Sequence, residues 1–284
     1  MRPFQACDIL GFMTSPAPAE GVGNLLRNWR MRRRLSQLEL ACQAQISTRH
    51  LSFVETGRAQ PSREMILRIA DGLEIPLRDR NVLLVRAGYA AMFPERQLSA
   101  PELEAALEAV DMVLKGHEPY PGIAVDRHWT LVRSNNSIGR LLTDLDPALL
   151  TPPVNVLRLS LHPKGLAPRI ENFAEWRTAL LARVSGQVER AGDPVLKSLF
   201  DEVNSYPAPV AGGARSAPTG GDGDHAGVVL PLKMITEFGV LSLFGTTTIF
   251  GTPLDVTLSE IALEMFFPAD RATREILLSI SKPD

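Results

Sequence analysis

Apolar positions between residues 21 and 90 recur at the spacing of short helices. Two neighbouring runs of this kind carry Leu35, Leu38, Ala41 and Ala44, then Leu51 and Val54. Ser36 and Ser47 stand just before these runs, where a hydroxyl group can cap the first turn of a helix. Two helices this short share one core only when they cross steeply. The pattern therefore predicts a helix-turn-helix unit, set within a bundle of five helices.

The second helix of this unit has a polar face beside its narrow apolar edge. That face carries Thr48, Arg49, Ser52 and Phe53, all close to the N-terminal end of the helix. A guanidinium group matches the paired acceptors of guanine, hydroxyl groups bond to several bases, and an aromatic ring packs on the methyl group of thymine. Gln37 and Arg58 flank the helix and are placed to bind phosphates. The alternative is a solvated polar face of an ordinary helical bundle.

Charge separates the two parts of the chain. Residues 21–90, here called the head, hold twelve arginines and no lysine against six acidic residues, a net charge of +6. The whole chain carries −2, and residues 91–284 carry −7. A basic head on an acidic body is expected when one domain alone binds DNA. Arg30, Arg32, Arg33 and Arg34 have a second interpretation, because cations also stabilise the C-terminal end of a helix.

The head also resembles a known family over about residues 21–88. The matching residues are Leu35-Ser-Gln, Glu39-Leu-Ala, Ile46-Ser47, Leu51, Val54-Glu55, Gly57, Pro61-Ser62 and Ile69-Ala70 with Leu73. They resemble the XRE/Cro-type helix-turn-helix of phage repressors, which implies binding to double-stranded DNA. Gln45 occupies the turn where that family usually has glycine, so we expect the angle of the recognition helix to differ. One head reads only a few base pairs, so we expect a homodimer.

Beyond residue 90 the pattern mixes short strands with helices. Ser99 is placed to cap a connector helix that ends near Lys115. Strands are predicted at 122–126, 129–134, 228–234, 238–244 and 246–250, and helices at 172–189 and 194–204. Thr257 or Ser259 is predicted to cap a last helix. A small antiparallel sheet with helices is typical of an α+β domain.

The sequence predicts four segments. Residues 1–20 are expected to form a disordered tail, 21–90 the helix-turn-helix domain, 91–116 the connector helix, and 117–284 the α+β domain. Within the α+β domain, residues 206–227 are rich in Gly, Pro and Asp and predict a flexible loop.

The second part of the chain resembles a second family over about residues 100–280. The matching phrases are His117-Glu-Pro-Tyr-Pro, Val125-Asp-Arg-His-Trp, Asn135-Asn, Asn155-Val-Leu-Arg, His162-Pro-Lys-Gly-Leu-Ala-Pro, Asn172-Phe-Ala-Glu-Trp, Phe250-Gly-Thr-Pro-Leu-Asp-Val-Thr and Glu264-Met-Phe-Phe-Pro-Ala-Asp. This part resembles the ligand-binding domain of the MmyB-like transcription regulators. The resemblance implies a PAS-like fold and a small apolar ligand, such as a fatty acid.

A sensory domain of this kind predicts an apolar cavity between the sheet at 228–250 and the helices around 172–189. Its candidate lining residues are Tyr120, Trp129, Trp176 and Phe244, although aromatic residues also fill ordinary cores. Arg158 or His162 is expected at the polar end, because a guanidinium fork matches a carboxylate. Alternatively, Arg158 pairs with Glu264 or Asp270 inside the fold.

Other function classes lack their usual signals in this sequence. The five histidines have no metal-ligand spacing, the two cysteines predict no disulfide framework, and neither a nucleophile elbow nor a phosphate-binding loop is present. We therefore expect neither an enzyme nor a cofactor or metal. No apolar run approaches the roughly 18 residues of a membrane span, so we expect a soluble protein. The lack of a disulfide framework favours the reducing cytoplasm. The main rival interpretation is that residues 100–284 only dimerise the head; it predicts a filled core.

Overall fold

A computed structural model describes residues 20–143, 145–209 and 229–281. Most of the predicted tail and most of the predicted loop at 206–227 lie outside these residues. The described chain forms two compact units: one holds residues 20–75 and 79–91, and the other holds 76–78 and 92–281. None of the described helices is long and apolar enough to cross a membrane.

The head contains the expected five helices. They are α1 (Val22–Arg32), α2 (Gln37–Gln43), α3 (Thr48–Glu55), α4 (Arg63–Gly72) and α5 (Leu77–Arg86). Ser36, Ser47 and Ser62 cap α2, α3 and α4, and each hydroxyl accepts a hydrogen bond from a backbone N–H three residues later. The caps predicted from the sequence at Ser36 and Ser47 are therefore present.

One predicted core position is wrong. The sequence predicts Leu38 on the inner face of α2, but Leu38 is 69% exposed, whereas Leu40 is completely buried. The inward face of α2 is formed by Leu40 and Ala41, together with Ala44 at its C-terminal cap. The side chain of Leu38 therefore points away from the core.

The turn between α2 and α3 keeps the geometry that glycine would adopt. Gln45 has a φ of 54°, in the left-handed region that favours glycine. The Ile46 N–H closes the turn by donating to the carbonyl oxygen of Ala41 at 2.9 Å. The glutamine therefore introduces local strain, and the turn keeps its left-handed residue.

The second unit is built around a five-stranded antiparallel sheet in the order β2-β1-β5-β4-β3. The strands are β1 (Gly122–Val125), β2 (Leu131–Ser134), β3 (Leu232–Thr236), β4 (Gly239–Ile249) and β5 (Ala262–Pro268). The helices are α6 (Pro101–Gly116), α7 (Asn136–Gly139), α8 (Pro147–Leu150), α9 (Val156–Leu161), α10 (Phe173–Ala191), α11 (Pro194–Ser205), α12 (Val256–Ser259) and α13 (Arg271–Ile280). This confirms the predicted combination of a helical head and an α+β domain.

The C-terminal part of this unit differs from the prediction. The two strands expected at 238–244 and 246–250 are one strand, β4. The predicted last helix is the single turn α12, which Asp255 caps, and it is followed by β5 and α13. β5 lies at the centre of the sheet, so its residues face protein on both sides. An apolar run without alternation does not distinguish a strand from a helix.

The helices cover both faces of the sheet. On one face, α6 packs Leu107, Val110 and Leu114 against the sheet residues Ala124, Leu263 and Met265. The first turn of α6 is not capped as expected, because its N-cap residue is Ala100 rather than Ser99. On the opposite face, α9, α10 and α11 pack around β1 through Leu157, Leu180 and Leu199. This second face carries the cavity described below.

Candidate functional site

The exposed face of α3 carries the side chains proposed to read DNA. Leu51 and Val54 are fully buried in the head, whereas Arg49 is exposed and Thr48, Ser52 and Phe53 are partly exposed. The guanidinium carbon of Arg49 lies 5.4 Å from the centre of the Phe53 ring, within the range of a cation–π contact. The four residues thus form one amphipathic patch near the N-terminal end of the helix.

The two flanking phosphate candidates differ in their surroundings. Arg58 is exposed in the turn that follows α3. Gln37 lies at the start of α2, and its side-chain nitrogen donates to Glu55 Oε2 at 2.8 Å. The amide group of Gln37 is therefore oriented by the fold before any DNA is bound.

Glu55, the last residue of α3, is a buried carboxylate held from two sides. Arg30 of α1 donates from Nε at 2.7 Å and from Nη2 at 2.9 Å, and Gln37 completes the set. Burial alone would raise the pKa of Glu55. The hydrogen bonds from Arg30 and Gln37 and the nearby positive charges outweigh burial, so the pKa is lowered. This clamp fixes the C-terminal end of α3 against α1 and α2.

Part of the basic flank has a structural role. Arg33 donates from Nε to the carbonyl oxygen of Leu73 at 2.8 Å and from Nη2 to that of Glu74 at 3.0 Å. Arg33 therefore binds carbonyl groups at the C-terminal end of α4. This agrees with the interpretation that these arginines stabilise a helix end, although the helix is α4 and not α1, which Arg33 itself follows. Arg32 lies 4.8 Å above the Trp29 ring.

The second unit contains an apolar cavity of about 250 Å³ between the sheet and α9 and α10. Sheet residues Ile123, Leu232, Met234, Leu243 and Phe266 line one side. Trp176, Ala179, Leu180 and Arg183 line the other, at the spacing of one face of α10. Its location is the one expected from the sequence.

The sequence-predicted ligand residues divide into two groups. Trp129 and Trp176 line the cavity, whereas Tyr120, Phe244, Arg158 and His162 are not among its lining residues. Neighbouring residues of a strand face opposite sides of a sheet, so Gly245 faces the cavity and Phe244 stacks on Phe267 at 5.5 Å on the other side.

Arg158 and His162 instead belong to a network at the surface. Arg158 donates to both carboxylate oxygens of Glu202 at 2.7 Å, which replaces the alternative pairing with Glu264 or Asp270. The Tyr206 hydroxyl donates to Glu202 at 2.6 Å, and the His162 ring packs on Tyr206. Burial and the nearby carboxylate raise the pKa of Tyr206 to about 12. Glu202 therefore already occupies the guanidinium fork of Arg158.

The charged groups on the cavity wall are Arg183 and Glu264. The sequence did not mark Arg183, and it suggested Glu264 only as a partner of Arg158, not as a residue of the cavity. Arg183 donates from Nη1 to Glu264 Oε2 at 3.0 Å, and its Nη2 donates to the other carboxylate oxygen and to the Thr247 hydroxyl. The Thr247 hydroxyl in turn donates to Glu264. Two signals were present: Arg183 follows Trp176 by seven residues on one helix face, and Glu264 interrupts an apolar run.

Trp129 has an unusual backbone conformation at the cavity wall. Its φ is 62°, a conformation that is costly for a bulky residue and is held only by surrounding structure. The indole N–H donates to Gln187 at 2.9 Å, and the Arg183 guanidinium lies 4.8 Å above the ring. Strain of this kind concentrates at ligand sites.

Family comparisons agree with this division into two parts. A model of the MmyB-like transcription regulator ligand binding domain matches residues 106–279, and a helix-turn-helix domain model matches residues 22–83. These two matches define a transcription regulator with a DNA-binding head. The chain belongs to the family of MmyB-like transcription regulators.

Two further comparisons cover parts of other chains. The transcriptional regulator ClgR of Mycobacterium tuberculosis, found in two strains, is 36% identical over 77 residues; the match covers 27% of this chain and 66% of ClgR. A solved structure of an RNA-binding light-oxygen-voltage receptor is 11% identical, with a TM-score of 0.27, over 90% of this chain and 62% of that one. A TM-score this low does not show a shared fold.

Proposed function

We propose that this regulator binds specific double-stranded DNA as a homodimer through α3, and that a small apolar ligand in the second unit modulates binding. The patch of Thr48, Arg49, Ser52 and Phe53 on α3 carries the DNA part of the proposal. Two heads would contact inverted half-sites about 34–36 Å apart, which is one helical turn along the duplex, or a multiple of that spacing. Such a regulator would act in the cytoplasm. The ligand would change DNA affinity only if it prefers one dimer geometry.

The DNA proposal predicts different roles for Arg49 and Arg58. Arg49→Ala should cost about 1–3 kcal/mol on the specific site and little on random DNA, because it would read a base edge. Arg58→Ala should weaken binding to specific and random DNA alike, because Arg58 would bind a phosphate. It should also lower the slope of log affinity against log salt concentration by about one. Fluorescence anisotropy at several salt concentrations measures both effects. Equal losses on the two DNAs for Arg49→Ala would remove it from base reading.

The cavity supports the ligand part of the proposal against the rival of a domain that only dimerises. A filled core is expected of a purely structural domain, whereas a ligand site is a cleft with apolar walls and a few polar groups. A water molecule occupies roughly 30 Å³ in the liquid. A cavity of about 250 Å³ therefore has room for roughly eight heavy atoms of that size. A medium-chain acyl compound has a chain of this size, and its head group would lie at the edge formed by Arg183.

A ligand that binds only the folded state raises the melting temperature. We expect at least one of octanoate, octanamide and methyl octanoate to do so, with a gain of about 2.7 kcal/mol at 100 times its dissociation constant. Ala179→Phe should abolish the shift, because Ala179 lines the cavity. Ala182→Phe is the matched control, since Ala182 is exposed on the same helix and does not line the cavity. No shift with any of the three compounds would favour the dimerisation rival.

A further inference from the structure

The charged groups on the cavity wall neutralise each other. Among the described residues that line it, Arg183 and Glu264 are the only ones with ionisable carboxylate or guanidinium groups, and they are bound to each other. Glu264 is 5% exposed, and its side chain also accepts the Thr247 hydroxyl. One cation and one anion in direct contact leave the wall with no net charge.

This neutralised ion pair disfavours the binding of a ligand with a negatively charged head group. A carboxylate brought to Arg183 would lie beside the carboxylate of Glu264, and the two like charges would repel each other. If the incoming carboxylate displaced Glu264 from Arg183, a buried carboxylate would lose its partner, which is strongly unfavourable. Either outcome weakens the binding of a free acid.

Hydrogen-bond donors are nevertheless present at the same place. Arginine has five N–H donors, and the bonds to Glu264 and Thr247 use three of those on Arg183. Trp176 also lines the cavity, and its indole N–H has no acceptor among the described residues. Donors without net positive charge match an uncharged acceptor, such as the carbonyl oxygen of an amide or ester.

We propose that the cavity binds an uncharged acyl compound, an amide or ester of a medium-chain acid, in preference to the free carboxylate. This inference rests on the proposed ligand binding and specifies the head group of that same ligand. It differs from the fatty acid that the family resemblance implies. The chain would occupy the apolar interior, and its carbonyl oxygen would accept from Arg183.

Isothermal titration of the full-length protein with octanamide, methyl octanoate and octanoate at pH 7.5 tests the inference. The three compounds share one chain and differ in the charge and donors of the head group. We expect the two neutral compounds to bind at least tenfold more tightly than octanoate. Octanoate binding as tightly or more tightly would overturn the inference while leaving ligand binding intact. If none of the three binds, the proposed ligand binding itself fails.

Glu264→Gln provides a second test, because it removes the negative charge and leaves Arg183 uncompensated. The preference should shift towards octanoate, by tenfold or more relative to octanamide. Glu202→Gln is the control: it removes the negative charge beside Arg158, in an ion pair that is more exposed and does not line the cavity, and should leave the preference unchanged. An unchanged preference in a folded Glu264→Gln protein would overturn the inference. If that variant does not fold, the comparison of the three compounds on the unmodified protein still decides.

Discussion

Arg30→Ala is expected to destabilise the head by about 3–5 kcal/mol, because it leaves the buried carboxylate of Glu55 without its ionic partner. The Glu55 side chain is 1% exposed and that of Arg30 is 12% exposed, so the ion pair is shielded from water in the native head. Gln37 alone would remain, as a neutral donor. Hydrogen exchange of the full-length chain, followed in peptides from residues 22–86, measures the opening free energy of the head.

Two further variants separate the ion pair from a general loss of positive charge. Arg58→Ala removes an exposed arginine and should change stability by less than about 0.5 kcal/mol. The double variant Arg30→Met with Glu55→Met replaces both charges with apolar groups and should recover most of the loss. If Arg30→Ala is no less stable than Arg58→Ala, the clamp does not stabilise the head.

The clamp also sets the pH dependence of the Arg30→Ala effect. The folded head lowers the pKa of Glu55 below its ordinary value of 4.5, so the stabilisation is complete above that value and is lost as the pH falls through the lower, folded pKa. The difference between the native protein and Arg30→Ala should therefore shrink on acidification. It should be largest at neutral pH.

Local signals explain why the head could be predicted well. Ser36, Ser47 and Ser62 each bond to a backbone N–H only three residues away, so the sequence near each cap determines where a helix begins. The position of Leu38 was not predictable in the same way. Whether Leu38 or Leu40 is buried depends on how α2 packs against its neighbours, and that is information from distant parts of the chain.

Distance along the chain explains the errors in the second unit. β5 joins β1, which lies about 140 residues earlier, and its two-sided burial removes the alternation that marks a strand. Arg183 and Glu264 are 81 residues apart, and Arg158 and Glu202 are 44 apart. The sequence shows that each charge needs a partner, but only the fold determines which one. The position of the cavity could be predicted from the sequence, but the charged residues at its edge could not.

Gly23→Ala is the other substitution with a large expected effect. A Cβ atom at residue 23 would lie 2.2 Å from the carbonyl oxygen of Val54 and 3.0 Å from that of Glu55. Both are backbone atoms at the end of α3, so no flexible side chain can move aside and α1 must separate from α3. Overpacking of this kind costs about 1–3 kcal/mol and sometimes more.

Loss of DNA affinity should accompany the loss of stability. The contact at Gly23 fixes the end of the same helix whose exposed face we propose for base reading, so a displaced α3 would lose its alignment with the bases even where the head stays folded. Gly116→Ala is the matched control, because the same Cβ atom in α6 meets nothing within 4 Å and should leave stability unchanged or raise it by up to about 1 kcal/mol. Hydrogen exchange and DNA titration at low temperature measure the two effects separately. A Gly23→Ala protein with native stability would mean that α1 and α3 can separate freely, which contradicts the close packing of their backbones.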